Sequence, residues 1–344
     1  MRMKTEVTAV VGACGPERHR YARWLARYWD AELIAARHPD QDCSALERAV
    51  RVSHGHAARR AVVLEYPVQV PALEIIGEIV DGGAPVELTD LICVVDAPHL
   101  IADLTSTERL DTAGPGGQGD PAARLCRGEL VVTQIEYASA VVLVNAEHLG
   151  SQELNLLLSL ISHLAPKAQL DVATSSAGPP ARRWLGGFRK EQTQAGWLSL
   201  LNDDFHPRFE DPDVVSFRYE QLRPMHPGRF SDVISRFTAS CDDGMLLRSA
   251  GFVHLATRPH VTAHWDQVGA HLSLAPACLD HELSADDEPL ALGQDLVLMG
   301  LGVDADRLAE ELDGAALTDR ELTAGPMEWA TYPDPFPGWS TADQ

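Results

Sequence analysis

Short apolar runs recur along the first half of the chain, at Val7–Val11, Ala31–Ala35, Ala61–Leu64, Leu91–Val95, Ala140–Val144 and Ala168–Val172. Several are apolar at almost every position, which predicts parallel strands covered on both faces. Between them the apolar spacing shifts to the helical period. It predicts helices over Glu17–Trp29, Ser44–Val52, Val70–Val80, Gly128–Ala138 and Ser151–Leu164. Strand and helix alternating in this order predict a doubly wound, mostly parallel α/β sheet. The glycine-rich stretch Asp111–Asp120 reads as a loop.

The pattern breaks at Ser175–Pro180, and a helix-like stretch follows near Gly187–Leu201. From Val214 strands come close together: VVSFRYE, then Leu246–Leu255, Val261–Gln267, Ala270–Leu274 and Gln294–Gly300. Helices are expected from His226 to Phe237 and over Asp304–Leu312. Strands grouped in this way predict a smaller α+β domain. The expected division is a nucleotide-fold domain at 1–175, a helical connection at 176–212, the α+β domain at 213–318, and an extended, proline-rich and aromatic tail at 319–344.

The junction of first strand and first helix, VTAVVGACGPERH, has the frame of a phosphate-binding loop, GxxxxGK[ST]. Gly12 and Gly15 are present, but Glu17 stands for the last glycine, Arg18 for the lysine and His19 for the Ser/Thr. A carboxylate at 17 would face phosphate oxygens where bare backbone N–H groups should approach them. His19 has no hydroxyl to hold Mg²⁺, and Arg18 keeps a charge without the compact ammonium of lysine.

The chain has 344 residues and 45% apolar content, enough for two ordinary globular domains. Its formal charge of −22 opposes direct contact with nucleic acid or anionic lipid. The local exception, Arg182, Arg183, Arg189 and Lys190, reads as a solvated stretch. No apolar run approaches the ~20 residues of a membrane span, and MRMKTEVTAVV lacks a signal-peptide pattern. The expectation is a cytoplasmic chain with reduced thiols. Its six cysteines (14, 43, 93, 126, 241, 278) show no paired spacing, so no metal ligands are assigned. Histidine is frequent, at fourteen, but neither His54 and His56 nor His254, His264, His271 and His281 have metal-ligand spacing.

Three segments of the second half, SFRYEQLRPMHPGRF, LLRSAGFVHLATRP and VTAHWDQVGAHLSL, resemble in order the C-terminal domain of the CobW-like GTPases, a family of metallochaperones and metal-homeostasis proteins. In the first half CVVDAPHL (Cys93–Leu100) and QIEYASAVVLVNAEHL (Gln134–Leu149) resemble the family's later GTPase-domain strands. The DPFPGW tail (Asp334–Trp339) is similar to that of actinobacterial members, some of them ribosome-associated factors acting in zinc limitation. The resemblance implies a P-loop GTPase-like domain followed by a CobW-type domain. It also implies that Glu65 stands at the family's Walker B strand end and Asn145 at the start of its guanine-reading NKxD segment. There Ala146 replaces the lysine and His148 the aspartate, and a histidine cannot reproduce a bidentate carboxylate acceptor. The family's cysteine cluster is missing, since Cys43 alone lies between Cys14 and Cys93.

These departures make the expected function that of a catalytically degenerate, non-enzymatic relative, a binding or regulatory factor in zinc or other metal homeostasis. Two alternatives stay open. One is a ribosome-associated adaptor that recruits a hibernation factor under zinc limitation through protein contacts. The other is a residual GTP-binding metallochaperone. The residues themselves call for no cofactor; GTP with Mg²⁺ and zinc enter by the resemblance alone. A protein partner is expected, with neither membrane nor direct nucleic-acid contact. His226 is expected at a strand–helix corner and is, with Trp265, Gln267, Trp329, Phe336 and Trp339, a candidate for partner contact; the alternative is that these aromatics fasten the tail to its own domain.

Overall fold

A computed structural model describes residues 5–36, 61–80, 86–111, 124–173, 188, 195–239, 244–279 and 293–339. The chain forms two compact units, Met1–Gly196 with His206–Glu210, and Trp197–Phe205 with Asp211–Gln344. The helix expected over Ser44–Val52, the loop residues 112–120, and Cys43, His54, His56, Arg182, Arg183, Arg189, Lys190, Cys241 and His281 lie outside the described residues.

The first unit is built on β1 (Thr5–Val11), β2 (Glu32–Ile34), β3 (Ala61–Glu65), β4 (Val86–Asp96), β7 (Ala140–Val144) and β8 (Gln169–Val172). They pair in the order β2-β3-β1-β4-β7-β8, every neighbour parallel. Helices α1 (Gly15–Tyr28), α2 (Ala72–Val80), α3 (Leu100–Leu104), α4 (Arg127–Glu136) and α5 (Ser151–Leu164) connect them. The apolar runs are buried as their pattern requires: Val7, Val63, Leu91, Ile92, Val141 and Val142 are inaccessible. A second core forms where Tyr21, Ala22 and Leu25 of α1 pack on Val10, Val63, Ile92 and Val94. The winding runs from β1 to β2 and β3 on one side and from β4 to β7 on the other. The sheet therefore reverses direction between β1 and β4, where open α/β sheets bind ligands at the carboxyl ends of their strands.

β4 begins at Val86 instead of Leu91. Glu87, Thr89 and Asp90 interrupt the apolar pattern and hide the strand's first half from a periodicity reading. Thr89 donates its hydroxyl proton to the Val7 carbonyl (3.0 Å), and Asp90 is buried with Ser139 Oγ at 3.4 Å from its Oδ1. β5 (Arg109–Asp111) and β6 (Arg124–Cys126) form a small antiparallel ribbon on either side of the glycine-rich stretch.

The second unit is an antiparallel sheet of β9 (Val214–Gln221), β10 (Met245–Val253), β11 (Val261–Val268), β12 (His271–Leu279) and β13 (Gln294–Leu301), in the order β12-β11-β10-β13-β9. Helix α7 (Pro227–Ala239) turns Phe230, Val233, Ile234 and Phe237 inward at helical spacing, onto Trp265, Leu296 and Leu298. Helix α8 (Ala305–Ala315) adds Leu308 and Leu312, and its N-cap Asp304 accepts from the Arg307 N–H. A short helix, α6 (Gly196–Leu201), precedes β9.

The segment after Leu317, read as extended, instead opens with two short helices, α9 (Asp319–Ala324) and α10 (Pro326–Trp329). Thr318 and Glu321 form a capping box that starts α9, and Pro326 opens α10, where its missing N–H costs nothing.

Candidate functional site at the carboxyl edge of the parallel sheet

Four neighbouring strands, β3, β1, β4 and β7, end side by side, and each delivers polar groups to the same edge. β3 ends at Glu65, β1 runs into the 12–19 turn, β4 ends at Asp96 and β7 is followed by Asn145. Gly12 is needed here for packing. Its φ is +144°, and a Cβ would meet the Val94 carbonyl oxygen of β4 at 2.2 Å. Gly15 is under no such demand, with nothing nearer than 3.7 Å.

Helix α1 starts at Gly15, two residues before the expected Glu17, so the connection from β1 shrinks to Gly12, Ala13 and Cys14. Pro16 removes one N–H from the first turn, and the Arg18 N–H is already bonded to the Cys14 carbonyl (3.0 Å). The backbone donors that would wrap a phosphate are fewer than the sequence frame promised. Glu17 instead sits in the first turn, where a carboxylate suits the helix N-terminus.

Arg18 turns into the protein. Its guanidinium donates to the Gly12 carbonyl (2.6 Å) and to Glu65 Oε1 (3.1 Å), and the residue is 7% exposed. Burial pulls the guanidinium down from its ordinary value, while Glu65 opposes that shift. The second oxygen of Glu65 meets His19 Nδ1 (2.7 Å) and the Ala36 N–H (3.2 Å). Arg18, Glu65 and His19 are thus brought together, with both Glu65 oxygens engaged.

Beside them is a cluster that the sequence reading did not single out. The Cys14 thiol lies 3.5 Å from Asp96 Oδ2, His99 Nδ1 bonds the same oxygen, and Asn145 Nδ2 donates to Asp96 Oδ1 (2.7 Å). Burial, together with the Glu17 and Asp96 carboxylates, pushes the Cys14 thiol up to about 12. Burial disfavours the Asp96 carboxylate, but the hydrogen bonds from His99, Asn145 and Cys14 outweigh it and hold its pKa below the usual range. Asp96 in turn raises the His99 imidazole. Asn145 holds a left-handed backbone (φ +57°) at the start of a 3-10 turn, 146–148, which leaves His148 exposed. The legible signal was D-A-P-H: a strand-end aspartate with histidine three residues on, across one helical turn.

The residues expected as interface anchors have other roles in the second unit. Trp265 is fully buried against Phe230 and Phe336, and its indole N–H reaches Ser249 Oγ (2.7 Å). Gln267 is also buried, between Ser249 and the Gly269 carbonyl. Phe336 fills the same core, Trp339 packs at its edge under the Arg258 guanidinium (4.6 Å), and Trp329 bonds the Glu321 carbonyl (2.6 Å). These five side chains tie their own unit together and do not form an open apolar patch. His226 sits at the expected corner, its N–H bonded to the Ala315 carbonyl (2.9 Å) and its ring stacked on Tyr332.

Residues 214–316 match the family described as the cobalamin synthesis protein cobW C-terminal domain. Over 271 residues the chain is 27% identical to zinc-regulated GTPase metalloprotein activator 1 of Dictyostelium discoideum, covering 73% of this chain. The match spans 56% of that relative, so this chain corresponds to little more than half its length. Among solved structures, the zinc-bound YjiA GTPase of E. coli and a zinc-bound triple mutant of YjiA align over 91% of this chain and 99% of theirs, at 14% identity and TM-scores of 0.35 and 0.38. Among the described residues no helix is long and apolar enough to cross a membrane.

Proposed function

We propose that this chain is a CobW-like protein of metal homeostasis, zinc being the leading metal, that does not turn over GTP. One observation carries the second half of the reading: the Arg18 cation is buried on Glu65 and the Gly12 carbonyl. Phosphoryl transfer depends almost wholly on positioned charge, and losing one such group costs roughly 3–4 kcal/mol of barrier. Here the cation is spent on the fold, and the Mg²⁺ hydroxyl and the base-reading aspartate are replaced by His19 and His148. The metal-homeostasis half is supported by the matched C-terminal domain and by likeness to a protein named for zinc-regulated metalloprotein activation.

Calorimetry with GTP and Mg²⁺ tests the first half. No binding is expected, and a low-micromolar Kd, with turnover abolished by Arg18→Ala, would overturn it. Deletion of the gene tests the second. A changed zinc requirement is expected, and identical growth and metal content in zinc-starved and zinc-replete cells would remove the metal role.

A further inference from the structure

We propose that Cys14, Asp96 and His99 form a binding site for one divalent transition-metal ion of the zinc class. Their donor atoms, one sulfur, one carboxylate oxygen and one imidazole nitrogen, all lie within 4.8 Å of one another. Around a tetrahedral ion with bonds of roughly 2.0–2.3 Å, donors stand about 3.3–3.8 Å apart. The Cys14–Asp96 separation of 3.5 Å already meets that spacing. His99 is closer to Asp96 than an ion between them would allow. Its side chain is 63% exposed, and it ends a single 3-10 turn, so its ring is free to swing outward.

The surroundings suit an ion. Asn145 holds the other Asp96 oxygen from outside, as second-layer partners of metal carboxylates do. The Glu17 carboxylate hydrogen-bonds the Cys14 thiol and adds negative charge. Opposing them is the N-terminus of α1, worth about half a charge. Arg20 pairs with Glu17 at 3.3 Å and is largely exposed, and Arg18 is already paired with Glu65. Two carboxylates therefore outweigh the helix. The place is also the one that the topology singles out, the reversal point between β1 and β4.

The donor set names the ion class. Thiolate and imidazole select zinc, cobalt or copper over magnesium or calcium. Binding replaces the thiol S–H bond by a metal–sulfur bond. It replaces the His99–Asp96 hydrogen bond by metal–nitrogen and metal–oxygen bonds. The thiol proton and the Nδ1 proton that bonds Asp96 both go to solvent, leaving a neutral imidazole with its remaining proton on Nε2. Three protein donors with exposed His99 leave a fourth position open to water or an incoming ligand, the arrangement of a site that exchanges rather than one that is closed. The inference stands on this geometry and not on the proposed role.

Titration of the full, reduced chain with Co²⁺ tests it. One equivalent is expected to bind with a thiolate-to-cobalt absorption band, displaced by Zn²⁺. Cys14→Ser should abolish the band. His99→Ala should weaken binding by more than about 100-fold, beyond the range of a second-layer change, and Cys126→Ser should leave it intact. Cys14→Ser is nearly isosteric and His99 is exposed, so circular dichroism should show both variants folded. Absence of the band, its survival in Cys14→Ser, or an undiminished Co²⁺ affinity in His99→Ala overturns the site.

Discussion

Arg18 and Glu65 are each at most 7% exposed, and neither has bulk water to fall back on. Removing one partner strands the other charge, which costs about 3–5 kcal/mol, whereas replacing both by apolar residues of similar size is often close to neutral. Glu65→Ala should therefore lower unfolding stability in denaturant far more than the double change Arg18→Met with Glu65→Leu. Equal losses would mean that the pair contributes nothing beyond its volume. The two glycines of the turn should also part company. Gly12→Ala places a Cβ 2.2 Å from the Val94 carbonyl at a φ of +144° and should cost at least about 1–3 kcal/mol. Gly15→Ala, in the first turn of α1 with open space around it, should be neutral or stabilising by up to about 1 kcal/mol. If melting temperatures show the two variants equally damaged, the turn is held by something other than its contact with β4.

At the scale of elements, the tail behaves as part of the second unit's core. Phe336 is 8% exposed between Phe230 and Trp265. Asp334 ties Thr257 and Arg258 at 2.6 and 2.9 Å. Phe336→Ala should cost about 3 kcal/mol, the low end for a buried phenylalanine because a terminal segment can relax. A melting temperature unchanged by that substitution would free the tail for another role. The inner strands β3 and β7 and the second half of β4 were readable because both faces are covered and their apolar runs are nearly unbroken. The first half of β4 was not, because Thr89 bonds the Val7 carbonyl of β1 and one oxygen of Asp90 accepts from Ser139, contacts that no local pattern contains. Trp265 and Gln267 were misplaced for the complementary reason. An aromatic next to polar residues looks the same in sequence whether its N–H meets a partner protein or, as here, Ser249. The departure of Glu17, Arg18 and His19 from a phosphate-loop pattern was legible in the sequence. Their new use, and the Cys14–Asp96–His99 cluster, needed the neighbouring strand ends.

For the whole molecule, two carboxyl groups set opposing acid responses. Burial pushes Asp90 up to about 7, above its unfolded value of 3.8, and its Oδ2 has no hydrogen-bond partner among the described residues. The folded state prefers the protonated acid, so Asp90's contribution is full below pH 3.8 and is lost as pH rises to about 7. The paired hydrogen bonds of Arg229 hold Glu321 down to about 2, from 4.5. Its contribution is present above 4.5 and disappears as pH falls through about 2. Asp90→Asn should flatten the stability profile between pH 4 and 7 relative to the parent, and Glu321→Gln should flatten it only below about 4.5. A parent and Asp90→Asn profile that run parallel from pH 4 to 7 would show that Asp90 ionises freely in the fold.

The inward turn of Arg18 also bears on descent. A loop that has merely lost a ligand can regain it one substitution at a time, because each step leaves the fold indifferent. This one cannot. Arg18→Lys alone breaks the fork that spans Gly12 and Glu65, Glu17→Gly alone puts the most flexible residue into the first turn of α1, and His19→Thr alone takes an imidazole from Glu65. On the proposed reading, each step towards a phosphate loop should lower stability before any phosphate is gained, and the triple variant would still carry His148. The inward turn of Arg18 then acts, on that reading, as a ratchet, kept in place by the folding of the loop.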